Sequence, residues 1–131
     1  MKVATTALFA VLLAAGAPAL AHHSFAAQYD ANKPITLTGK VTKVEWMNPH
    51  VYFYVDVKDD KGAVTSWACE MGGGPNSLIR QGWTKDSLKL DDVVTVEGFL
   101  AKDGSKLASA RNVTLASTGK KMFAGTNEEK P

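Results

Sequence analysis

An all-β domain closed into a small barrel is the fold class this sequence predicts, and three observations carry it. From Ile35 onward, apolar residues alternate with polar ones in short runs, the period-2 pattern of strands buried on one face. Clusters of Gly, Asp, Asn and Pro separate those runs at regular spacing, as turns between strands do. Past Ala21, a single stretch from Pro75 to Gly82 carries helix signals.

The first strand starts at Ile35. Ile35, Leu37 and Val41 share one parity and Val44 and Trp46 the other, so a bulge or sharp bend is expected between Gly39 and Lys43. Asn48-Pro49 then breaks the strand. The second strand runs from His50 to Lys58, with Val51, Phe53, Val55 and Val57 on one face and His50, Tyr52, Tyr54 and Asp56 on the other. A three-residue loop at Asp60-Lys61-Gly62, with Gly62 left-handed, joins it to the third strand. That loop pairs Val55 with Trp67, Phe53 with Cys69 and Val51 with Met71, so both strands bury one face. A slip by one residue turns Trp67 outward and wastes its burial. Tyr52 then sits across from Glu70 on the outer face, with His50 just beyond.

Gly72-Gly73-Gly74 interrupts the chain. A short helix follows, with Asn76 as its N-cap, Leu78-Ile79 as its apolar contact, Gly82 as its end and Trp83 packed beneath it. Val93 to Leu100 is the fourth strand, Lys102 to Ser105 a turn, and Leu107 to Leu115 the fifth. From Ser117 the chain is polar and reads as a frayed tail. Three strands, a short helix and two strands is the order of a five-stranded Greek-key barrel of the OB type, in which the first strand bends to serve both sheets. A small open β-sandwich of another topology is the alternative.

The first residues have another purpose. Met1-Lys2 gives a positive start, Ala4 to Ala17 an uncharged and mostly apolar run, and Ala19-Leu20-Ala21 a small-x-small site, which together make a secretory signal peptide. The run is shorter than the about 20 residues a spanning helix needs. The chain therefore divides into a signal peptide (1–21), an arm (22–34), the barrel (35–116) and a flexible tail (117–131). The expected product is exported, periplasmic in a Gram-negative cell, soluble and monomeric. Lys2 is one of 15 basic residues, so its loss leaves 14 against 13 acidic ones. That balance is no electrostatic footprint for nucleic acid or an anionic membrane. One cysteine forms no internal disulfide and builds no zinc ribbon.

The string His22-His23-Ser24-Phe25, the run Gly39 to His50 with its Glu45-Trp46-x-Asn48-Pro49-His50 turn, and Trp67-x-x-Glu70 resemble a family of small exported bacterial proteins, domain of unknown function 6152. Pro75-Asn76-x-Leu78, Gly82-Trp83 with Ser87-Leu88, and Val94-x-Val96-x-Gly98 followed by Ala101 to Ser105 extend the resemblance over nearly the whole mature chain. Two departures stand out: Leu90-Asp91-Asp92 replaces a Gly-Asp turn, and the loop after Glu70 has an extra glycine. The resemblance implies export and a single β domain. It implies no activity.

Cleavage after Ala21 makes His22 the first residue, so its α-amine and imidazole can chelate one metal ion. Imidazole suits copper, zinc and nickel, and an α-amine with a pKa near 8 gives up its proton to a metal. Cleavage at Ala17-Pro18-Ala19 would instead leave His22 in third position, a chelator of different geometry. His22, His23 and His50, with Glu70 as a further ligand, form the candidate metal set. Two imidazoles and an amine favour copper; a third imidazole and a carboxylate suit zinc. Tyr52 and Tyr54 form a candidate stacking face for a small molecule or an exported partner protein. Cys69 reads as a buried apolar residue facing Phe53. No Gly-x-Ser-x-Gly, phosphate loop or His-Glu-x-x-His is present, so a non-enzymatic binding module is expected, with the metal carrier as its alternative.

Overall fold

The computed structural model describes residues 24–126. The leader, His22, His23 and residues 127–131 lie outside the described residues. The elements are α1 (Ser24–Gln28), β1 (Tyr29–Glu45), β2 (Tyr52–Lys58), β3 (Val64–Glu70), α2 (Pro75–Arg80), β4 (Val93–Ala101), β5 (Leu107–Leu115) and β6 (Lys121–Phe123). The protein is all-β, with six strands and two short helices among the described residues. Their sheet order is β3-β2-β1-β4-β5-β6, and β3 also pairs in parallel with β5. The pairing thus runs in a circuit from β3 back to itself through β2, β1, β4 and β5. No helix among the described residues is long and apolar enough to cross a membrane.

β1 makes the circuit possible because it serves two neighbours. Its first half pairs with β4 and its second half with β2. The register shifts between Val41 and Lys43, where the apolar parity switches, so Val41 is buried before the shift and Val44 packs against the core after it. A side chain at Gly39 would not fit: a Cβ there would lie 2.2 Å from the Asp56 carbonyl oxygen. Glycine lets the two backbones approach at the bend.

The hairpin of β2 and β3 has the register that burial demands. Val55 pairs with Trp67, Phe53 with Cys69, and Tyr52 with Glu70. Gly62 is left-handed, with φ of 82°. Asp59 closes the turn, its carboxylate accepting from the Lys61 and Ala63 amides at 2.9 Å each. Val51, Phe53, Val55, Trp67, Cys69 and Met71 all enter the core with Val41, Val94, Val96 and Val113.

Three expectations need correction. α2 starts two residues earlier than an Asn76 cap predicts: Gly74 is its N-cap and no side chain caps it, so Asn76 has no capping role. Pro75 sets the first-turn φ and has no N–H to satisfy. Leu78 is buried, but Ile79 is 55% exposed, because so short a helix offers the core a single narrow face. The arm expected over 22–34 contributes Tyr29 to Pro34 to β1, anchored by a buried Tyr29. The tail expected from Ser117 holds β6, which pairs with β5 from Asn112 to Thr114. Met122 packs on the core and Ala124 is buried. The Phe123 carbonyl accepts from the Trp83 indole at 2.7 Å, and the Ala124 carbonyl from the Gly72 amide at 2.7 Å. Three residues are too few for a periodic signal in a polar context.

Gly39→Ala is expected to destabilise the protein by about 1–3 kcal/mol, the usual cost of forcing atoms into filled space. Chemical denaturation of the two proteins measures it.

Candidate functional site

The turn at Asn48-Pro49 delivers His50 to the end of β2, and the hairpin register sets Glu70 at the end of β3. The two side chains meet. His50 Nδ1 lies 3.2 Å from Glu70 Oε1 and 3.0 Å from the Met71 carbonyl oxygen. Both neighbours are acceptors, so Nδ1 carries a proton in either charge state of the ring. In the neutral ring this leaves the Nε2 lone pair free for a ligand.

Glu70 is only 9% exposed, and a buried carboxylate needs donors. Its second oxygen accepts from the Tyr29 hydroxyl, which comes from the start of β1. Burial, and then the hydrogen bond to Glu70, hold the Tyr29 phenol well above its ordinary value. Across the strand pair, burial and then the Glu70 charge push Tyr52 up to about 12. Sequence reasoning missed Tyr29, because its partner lies 41 residues away and nothing local encodes that contact.

Tyr29, His50 and Glu70 line a small cavity of about 40 Å³ with Phe25, Ser109 and Thr126. Phe25 stacks on Tyr29, with ring centroids 5.6 Å apart, and meets Phe99 edge-on at 5.8 Å. The chain that follows the paired histidines thus reaches the same cavity as His50 and Glu70. His22 and His23 themselves lie outside the described residues. Among the described residues, no group of three or more His, Cys, Asp or Glu side chains is placed to hold a metal.

The second candidate face is arranged differently. Tyr54 donates to Glu45 Oε2 at 3.2 Å, while Lys43 pairs with Glu45 at 2.5 Å and stands 5.3 Å from the centre of the Tyr54 ring. Lys43 holds the Glu45 carboxyl below its usual range. Tyr54 is therefore tied to its own strand neighbours and partly covered by an ammonium. Cys69 is fully buried, and burial pushes its thiol up to about 12, so it is no nucleophile at neutral pH.

A model of a family of unknown function, DUF6152, matches residues 10–110. The chain belongs to the DUF6152 family. The matched span takes in His22, His23, His50 and Glu70 and ends before β6. No curated protein matches this DUF6152 chain. Among solved structures, it is similar to the dimeric N-terminal domain of PriB from Thermoanaerobacter tencongensis. The identity is 19% and the TM-score 0.40, over 65% of this chain and 97% of that one.

Two outcomes follow for the site. Tyr52 keeps its proton in the folded protein up to about pH 12 and loses it near 10 in the unfolded chain. Its contribution is intact below pH 10 and is lost as pH rises toward 12, where the unfolded state sheds the proton first. Tyr52→Phe should flatten the fall of stability over that interval, measured by urea denaturation at stepped pH. Cys69 should resist a thiol reagent at pH 8 in the native protein and react fully in denaturant.

Proposed function

We propose that this chain is an exported, non-enzymatic binding module built on an OB-type Greek-key barrel, and that it holds a copper or zinc ion at the His50 end of β2 and β3. The circuit β1-β2-β3-β5-β4, with α2 between β3 and β4, is the order that motivates the OB assignment. The observation that carries the metal reading is His50 itself. Its Nδ1 is engaged by a carbonyl and a carboxylate, the kind of outer partners that fix the tautomer and orientation of a ligating imidazole. Phe25 on the same cavity adds weight. His22 stands three residues earlier, so the chain sets it at most about 10 Å from Phe25.

In this reading the signal peptide is removed after Ala21. The α-amine and imidazole of His22, with His23 and His50, supply the nitrogen ligands, and Glu70 orients His50 from behind. A nitrogen-rich set with few protein ligands favours copper; entry of Glu70 into the ligand set would favour zinc. Tyr52 and Tyr54 are less suited to stacking a ligand, because Glu45 and Lys43 already occupy Tyr54.

Native mass spectrometry on untagged protein, purified from the periplasm without chelators, tests the proposal. One copper or zinc per chain starting at His22 is expected. His50→Ala should weaken binding by at least 10-fold, and Glu70→Gln by about 10–100-fold, as loss of an outer partner does. A chain that takes up no metal from stoichiometric copper, or a His50→Ala protein that binds like the wild type, would sink the proposal.

A further inference from the structure

A second concavity lies away from His50, on the outer surface where the start of β1, β4, β5 and β6 meet. It is a groove of about 690 Å³, within the range of small-molecule sites. Ile35, Phe99 and Phe123 give it apolar walls, and its polar lining is Thr36, Glu97, Arg111, Asn112 and Lys121. β6 builds one side: Met122 turns to the core, so its neighbours Lys121 and Phe123 turn to the groove.

Arg111 and Asn112 are consecutive, and consecutive residues of a regular strand point to opposite faces. Here both line the groove because the strand is bulged. Gly98 pairs with Ala110 and Glu97 with Asn112, which leaves Arg111 as the extra residue with none opposite it. A bulge of this kind re-aims a side chain. The charges are unequal. Lys121 is matched by Glu97 at 2.9 Å, whereas the half-buried Arg111 guanidinium has no carboxylate partner among the described residues. The groove therefore carries one unmatched positive charge, in the planar fork that suits a carboxylate, between aromatic walls.

We infer that this groove binds a small organic monocarboxylate, its carboxylate forked by Arg111 and steadied by the Asn112 amide, and its apolar body held between Phe99 and Phe123. The site is separate from the metal site, and His50→Ala leaves it intact.

NMR titration of the mature protein with 4-phenylbutyrate, and with the neutral 4-phenylbutanamide, tests the inference. The acid should shift the amides of Gly98, Phe99, Arg111, Asn112 and Phe123, and bind at least 10-fold more tightly than the amide. Arg111→Gln should erase that preference, and Arg111→Lys, which keeps the charge and loses the fork, should reduce it. Equal binding of acid and amide by the wild type, no binding of either, or a preference that survives Arg111→Gln would overturn the inference. The chain has its own acidic end in Glu128 and Glu129. If exchanging both for Gln shifts the same amides without any probe, the tail is the occupant and the inference fails.

Discussion

The carboxylate of Glu70 is the constraint around which this end of the molecule is arranged. A charge so little exposed is costly unless donors surround it. Here the donors come from distant parts of the chain: Tyr29 from the start of β1 and His50 from the turn before β2. Each contact fixes more than itself. Tyr29 brings the N-terminal segment into the sheet, and His50 is held with its Nδ1 inward. Removing the carboxylate would leave a buried phenol without its acceptor, the more expensive side of a broken hydrogen bond.

That arrangement divides the outer surface into parts with different chemistry. At the end of β2 and β3, polar groups converge on a cavity too small for an organic ligand, which suits an ion or a water. The middle of the same strands is closed by the Lys43, Glu45 and Tyr54 contacts. The groove over β4, β5 and β6 is an order of magnitude larger and carries an arginine with apolar neighbours. A small sheet whose pairings run in a circuit uses its enclosed face for the core, so binding falls to features added outside it: a turn, a bulge and a late short strand.

Much of this was legible in the residues. The hairpin register followed from Trp67, Cys69 and Phe53 having to share one buried face, and the β1 bend from the parity switch between Val41 and Val44. His50 and Glu70 could be brought together on that register alone. Local pattern could not reveal contacts made across long separations. Tyr29 fell within the expected arm because its burial depends on Glu70, and β6 within the expected tail because the partners of Met122 belong to the core. Arg111 was missed as a site residue: the parity switch from Ala108 and Ala110 to Val113 and Leu115 marks the bulge, but two alanines make a weak apolar signal. Asn76 was misread for a simpler reason: Pro75 already begins the helix without a side-chain cap.

Glu70 and the Met71 carbonyl hold His50 with its proton on Nδ1, which leaves Nε2 open to the proposed metal. Long-range ¹H–¹⁵N correlation of the imidazole at neutral pH reads this directly. The Nδ1 resonance should show the attached proton, and the Nε2 signal should be displaced when zinc is added. An Nε2–H tautomer, or an Nε2 signal indifferent to zinc, would contradict it.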